Sequence, residues 1–322
     1  MNLSVPFRLR NPKMSLAAVV AVFFCLSGCV ADDQVDKMTA QFVQASTTLT
    51  QSYQTLLTNA NAVEADNYID NQLFTHDEIN SIGIDKSVLI SPGEIALRVA
   101  ALKALTDYTT ALAALAANKP SIQIQTDAAK ANSSLKTLTS DATGVFDKPA
   151  KGAKTPDFAG PISEAATAIG AVLKLIEDHR AASAIREDIL KNDPKITPLY
   201  KVIEQESTYY FDRQTHTTSL YGVMLLSTYD KARKTADSAE LMQIGDRIRQ
   251  YQKDSAALKA SDPTQAINAF EKSHTAVVAL ITAKPADKKM SMATLIAEVR
   301  SFIAEVKTPS KDATSTSDTK SN

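Results

Sequence analysis

Tryptophan is absent from this 322-residue chain, cysteine occurs twice and histidine four times. Both cysteines, Cys25 and Cys29, fall near the N-terminus. Everything after Cys29 therefore lacks a thiol for a disulfide, a thiolate nucleophile, an iron–sulfur cluster or a cysteine-type zinc site. The histidines form no His-x-His pair and no Gly-x-Ser-x-Gly sequence occurs, which leaves hydrolase chemistry little to stand on. Only nine glycines are present, and none builds a phosphate-cradling loop. Charge of neither sign is in excess: 35 Lys and Arg face 36 Asp and Glu. The two signs are interspersed, as on a solvated surface, so DNA or RNA is not an expected partner.

Long apolar runs are also missing, with one exception. Arg8, Arg10 and Lys13 precede an apolar stretch from Leu16 to Leu26, too short to span a hydrocarbon core of roughly 30 Å. It ends Leu26-Ser27-Gly28-Cys29. This segment resembles the lipobox of bacterial lipoproteins. The resemblance covers only the first thirty residues and implies a leader, 1–28, cut before a lipidated Cys29. Two or three acyl chains then give lasting attachment, since each buried CH₂ contributes roughly 0.8 kcal/mol. Val30 and Ala31 follow, with no Asp at the second position, which implies the outer membrane facing the periplasm rather than the inner membrane. Lipidation would consume the one cysteine left after cleavage.

What remains reads as helix. Few glycines and abundant Ala, Leu, Lys, Gln and Thr favour helices packed through small residues. Val35, Phe42, Leu49, Leu56 and Val63 fall seven apart, with Met38 and Ala45 in the intervening seam. That coiled-coil-like spacing predicts a helix from about Asp33 to Asn71, packed within its own chain or exposed as a seam for a partner. A polar stretch from Thr75 to Ser91 breaks it. Ser91-Pro92-Gly93-Glu94 then has the form of a capping box with proline at the first helical position. Its helix is expected to bury Ile95, Val99, Leu102, Leu105, Leu112 and Leu115 and to stop at Asn118-Lys119-Pro120. The next has one apolar face, from Ile124 through Ala128, Ala131, Leu135 and Leu138 to Ala142.

Residues 146–161, with three Pro and two Gly, form an internal boundary between helical parts at 29–145 and 162–307, two domains or one. Ile162, Ile169, Ile176, Ser183 and Leu190 predict one helix ending at Asn192-Asp193-Pro194. Another is expected from Thr197-Pro198 to about Thr235. Capping sequences at Asp237–Glu240 and Asp262–Gln265 open two more. A last helix covers about Met290 to Val306, and the polar tail 308–322 is expected to be disordered. The fold class is thus all-α: an extended bundle of seven to eight antiparallel helices with coiled-coil-like packing.

Two clusters could carry chemistry. Glu206, Tyr209, Tyr210, Arg213 and His216 recur at intervals of three or four, so they could share one polar, aromatic helix face lining a ligand cleft. The alternative is an interhelical hydrogen-bond ladder. Glu271-x-x-His274 has the spacing of a di-iron bundle ligand pair, but no second such motif occurs. His274 sits in the apolar series Ile267-Phe270-Val277-Ile281 and reads as a hydrogen-bonded core residue. His76 and His179 have no partners at useful spacing. No metal or cofactor is expected, and no enzymatic activity. The first functional expectation is a lipid-anchored envelope lipoprotein that binds a protein partner or plays a structural part. Immunity against a periplasmic toxin is an alternative, and a ligand binder or enzyme using the Glu206–His216 face is another.

Overall fold

A computed structural model describes the backbone of residues 16–75, 77–146 and 158–307, and the side chains of 37–75, 77–140 and 158–306. The Cys29 side chain, most of the leader, residues 147–157 of the boundary segment and the tail from Thr308 lie outside these.

Among the described residues there are nine helices and no strand: α1 (Leu16–Thr75), α2 (Ser81–Ser87), α3 (Pro92–Ala116), α4 (Ser121–Phe146), α5 (Ala159–Glu177), α6 (Ala182–Ala232), α7 (Ser238–Lys259), α8 (Thr264–Thr282) and α9 (Lys288–Lys307). The chain is an all-α bundle, as its composition indicates.

The heptad seam of α1 turns inward. Phe42, Leu49 and Leu56 are buried, and so are Met38 and Ala45 of the intervening seam. Phe42 meets Phe270 and Phe302 at ring-centroid distances of 5.7 and 5.5 Å, joining α1, α8 and α9. Large rings in such contacts are a major source of core energy. Asn61 fixes the α2–α3 loop to α1. Its Oδ1 accepts from the Leu89 and Ile90 amides (2.9 and 3.0 Å), and its Nδ2 donates to the Ile90 carbonyl (2.7 Å).

α3 opens with the expected capping box: Glu94 N donates to Ser91 Oγ (3.2 Å) and Ser91 N to Glu94 Oε2 (2.8 Å). Its burial is wider than the expected stripe. Leu97, Ala101, Leu105, Tyr108 and Leu112 are sealed, whereas Ile95 and Val99 are only half-buried, because other helices surround α3. It stops where Asn118 takes φ 49° and Lys119 N reaches back to the Ala114 carbonyl (3.1 Å). That 6→1 bond satisfies a terminal carbonyl. α4 buries one face, through Ala128, Ala131, Leu135 and Leu138.

The helix boundary expected at Asn192–Pro194 is wrong. α5 ends at Glu177, His179 adopts φ 52°, and Arg180 N donates to the Leu175 carbonyl (3.1 Å), again a 6→1 closure. α6 then runs through Pro194 and Pro198. A proline inside a helix costs about 3 kcal/mol. Here both lie on the exposed side with Leu190, so carbonyls that lose their donors face water. Ile185, Ile189, Ile196 and Leu199 anchor the opposite side. Their burial keeps the helix going.

α7 and α8 both run antiparallel to α6, Tyr251 meeting Tyr221 on its far half and Glu271 and Ile281 meeting Lys201 and Arg186 on its near half. α1 instead runs alongside α6 in the same direction, pairing Tyr53 with Glu206 and Glu64 with Thr217. α5 is long and apolar enough to cross a membrane by composition, but Ile162, Ile169, Val172 and Ile176 are buried in the bundle. One apolar core joins both halves of the chain, from Met38 on α1 to Phe302 on α9.

Candidate functional site

Three polar arrangements stand out inside the bundle. The deepest joins Glu206 to Arg98. Arg98 Nε donates to Glu206 Oε2 and Nη2 to Oε1, both at 2.8 Å, a bidentate pair sealed between α3 and α6. Arg98 Nη1 also donates to the Glu94 carbonyl (3.1 Å), its guanidinium lies 5.1 Å from the Phe158 ring centroid, and Tyr53 Oη donates weakly to Glu206 (3.4 Å). Burial pushes the Glu206 carboxyl above its usual range, against the pull of Arg98. The Tyr210 hydroxyl, buried beside this pair, has no partner among the described residues, and burial raises its pKa.

A second arrangement has the residue order of a nucleophilic triad. His274 Nε2 lies 2.9 Å from Asp193 Oδ1, and its Nδ1 lies 2.9 Å from Thr109 Oγ1. The Thr109 hydroxyl is fully buried and also 2.8 Å from the Leu105 carbonyl. Tyr108 and Tyr200 flank the imidazole at 5.8 and 5.3 Å. The Thr109 hydroxyl is sealed from solvent, and the three side chains tie α3, α6 and α8 together. The expected role of His274 as a hydrogen-bonded core residue is what the structure displays. Glu271 turns away and pairs with Lys201 (2.9 Å). Among the described residues, no three His, Cys, Asp or Glu converge as metal ligands.

The third arrangement is a cavity of about 630 Å³ between α1, α6 and α7. Asp66 and Asp70 of α1, Gln214 and Tyr221 of α6, and Arg247 and Tyr251 of α7 are among its walls. Its volume falls in the range of small-ligand sites, roughly 300–1,000 Å³.

The five residues expected to share a ligand face do not line this cavity and divide between different surroundings, although Tyr209 stays beside both Tyr210 and Arg213. Glu206 and Tyr210 are sealed in the core, Tyr209 packs edge-on against Tyr210 at 5.1 Å, and His216 is exposed. Arg213 donates to Glu64 Oε1 (2.7 Å), where Thr217 also donates (3.2 Å). The physical reason is angular. At about 100° per residue, steps of three and four drift round a long helix, and α6 has different neighbours along its length. The face that does meet the cavity begins at Gln214 and Thr217, one turn further on.

A sequence signal for the cavity exists in α1. Beyond Val63 the heptad register continues, but its positions are held by Asp66 and Asp70, following Asn59. A seam that turns polar while keeping its register marks where the helices stop touching. Comparison with known proteins gives no relatives: no protein-family model, no curated protein and no solved structure matches the chain.

Proposed function

We propose that the chain is a lipid-anchored, non-enzymatic component of the cell envelope, acylated on Cys29, held at the outer membrane facing the periplasm, and acting as a protein-binding or structural bundle. The observation that carries this reading is the continuity of α1. Its backbone is one helix from Leu16 to Thr75, so a chain beginning at Cys29 passes within about nine residues into the buried seam at Met38. A tether at Cys29 would therefore hold the bundle through a stiff element. At 1.5 Å per residue, Asn59, where the cavity begins, stands about 45 Å along the helix from the anchor.

An apolar stripe on the far half of α6 supports the protein-binding side. Leu220, Val223 and Leu226 are 47, 66 and 54% exposed, at a spacing of three. Metabolic labelling with an alkyne fatty acid should mark the wild-type chain and not Cys29→Ser, which should leave the membrane fraction. Equal labelling of both, or a Cys29→Ser chain still in the membrane, rejects the anchor. Crosslinking in intact cells should then capture defined envelope proteins, and a Val223→Asp chain should capture less of them. Capture unchanged by Val223→Asp rejects this surface.

A further inference from the structure

The cavity between α1, α6 and α7 stands apart from the core ion pair, the His274 tie and the anchor. Its charges are unbalanced. Asp66, Asp70 and Asp254 face it, with Arg247 as the one cation lining it, so two negative charges are in surplus. Among the described residues, neither Asp66 nor Asp70 has a hydrogen bond or an ion pair within 4 Å, and Asp254 accepts only a neutral amide bond from Gln250 (2.8 Å).

A neutral acceptor points the same way. Gln214 is 2% exposed and donates its Nε2 to the Leu56 carbonyl (2.8 Å). No donor among the described residues reaches its Oε1 at the cavity wall. An acceptor without a protein donor leaves a place for one supplied by a ligand.

The third element is aromatic. Tyr221 and Tyr251 meet edge to face with centroids 6.4 Å apart. The Tyr251 ring lies over Gly222, where a Cβ would come within 2.3 Å of its Cζ, so glycine is what lets the ring settle there. Burial also pushes the Asp70 carboxyl above its usual range, with Arg247 pulling it down and Asp66 pushing it up. That is the condition of a carboxylate partly stripped of water and short of counter-charge.

We propose that this cavity binds an aliphatic diamine or polyamine, its ammonium groups shared among Asp66, Asp70 and Asp254 and its methylenes laid along Tyr221 and Tyr251. An ammonium carries three donors and no acceptor, the complement of a wall rich in acceptors. Tyrosine faces attract cations and accept methylenes equally well. A dication balances the two surplus charges. A bare metal ion is a poorer occupant of so large a space, because the carboxylates do not converge within coordination distance of one another. An anion would meet three carboxylates.

Isothermal titration of the detergent-solubilised full chain with 1,4-diaminobutane and with spermidine tests this, whether or not Cys29 is acylated. Saturable binding is expected, stronger than for 1-aminobutane and persisting in magnesium chloride of matched ionic strength. The double variant Asp66→Asn with Asp70→Asn should lose at least about tenfold in affinity. Asp254→Asn, at an exposed position, gives an independent change that leaves the core untouched, and it should weaken binding too. Circular dichroism and thermal melting confirm that each variant is folded. No saturable binding up to about 10 mM of either amine, binding fully displaced by magnesium, or folded variants that bind like the wild type would overturn the proposal.

Discussion

Glu206 and Asp107 are both buried carboxylates, and the bundle treats them in opposite ways. Glu206 is sealed with a single cation, Arg98, and burial dominates its titration. Removing one partner of such a pair leaves an uncompensated charge, at a cost of about 3–5 kcal/mol, whereas replacing both with apolar side chains is often neutral. Glu206→Gln should therefore lower stability by about that amount in urea unfolding, and Arg98→Met with Glu206→Leu should recover most of it. A double variant as unstable as the single one would mean that the pair holds the fold in register. Asp107 is also desolvated, but hydrogen bonds from Lys103 (2.5 Å), Ser134 (2.6 Å) and Lys130 outweigh that and hold its carboxyl below the usual range. A depressed folded-state pKa contributes stability that is fully present above the unfolded value, near 4, and is lost as pH falls through the lower folded one. Asp107→Asn should consequently cost stability at pH 7 and progressively less below about pH 4, when melting temperatures of the two chains are compared. A difference constant down to pH 2 would show that the charge has no part in it.

The elements differ in how much of their making is written in the sequence. The capping box at Ser91 and the α1 seam were legible because each is a local pattern with a local cause: a hydroxyl near the third amide, or an apolar residue every seven. The end of α5 was not. Nothing about His179 announces a left-handed residue, since glycine is the usual choice there and histidine merely tolerates it. The prolines at 194 and 198 announced a break that does not occur, because their cost is met by burial on the opposite face, which no local pattern reports. The α6 residues 206–216 divide for a related reason: a shared spacing does not make a shared environment, because α6 passes out of the main core to where it borders the cavity with α1 and α7. His179 offers a direct check. Glycine at a left-handed position removes the Cβ penalty, so His179→Gly should stabilise the chain by about 1 kcal/mol. A thermal melt raised by a few degrees supports a tight α5–α6 turn there, and an unchanged or lowered one argues that the two helices are joined differently.

Seven helices contribute to one apolar core, and α7 is not among them. Ile244 is its one buried residue, and like Leu225 of α6 it stands outside that core. α7 nevertheless forms one wall of the cavity, so the proposed ligand site lies where the main core gives way to the far parts of α1 and α6 with α7 against them. That also explains why the site was hard to read in sequence. Asp66, Asp70 and Asp254 look like ordinary solvated positions, and only the placement of α7 against α1 and α6 gives them a shared space. Sub-global opening draws on the parts with least buried apolar surface, and α7 has far less than α3, where fifteen residues are buried. In native-state hydrogen exchange followed by mass spectrometry, peptides from α7 and the last turns of α6 should exchange through a low-energy opening. Their exchange should respond only weakly to added urea, because little surface is uncovered. Peptides from α3 should exchange only with global unfolding and carry the full urea dependence. Adding a diamine should slow exchange in α7 and leave α3 unchanged, since a ligand spanning α1 and α7 must be released before α7 can open. Equal protection of α7 and α3 without ligand would mean that the wall is as firmly held as the core, and the cavity could then fill only by diffusion into a fixed space.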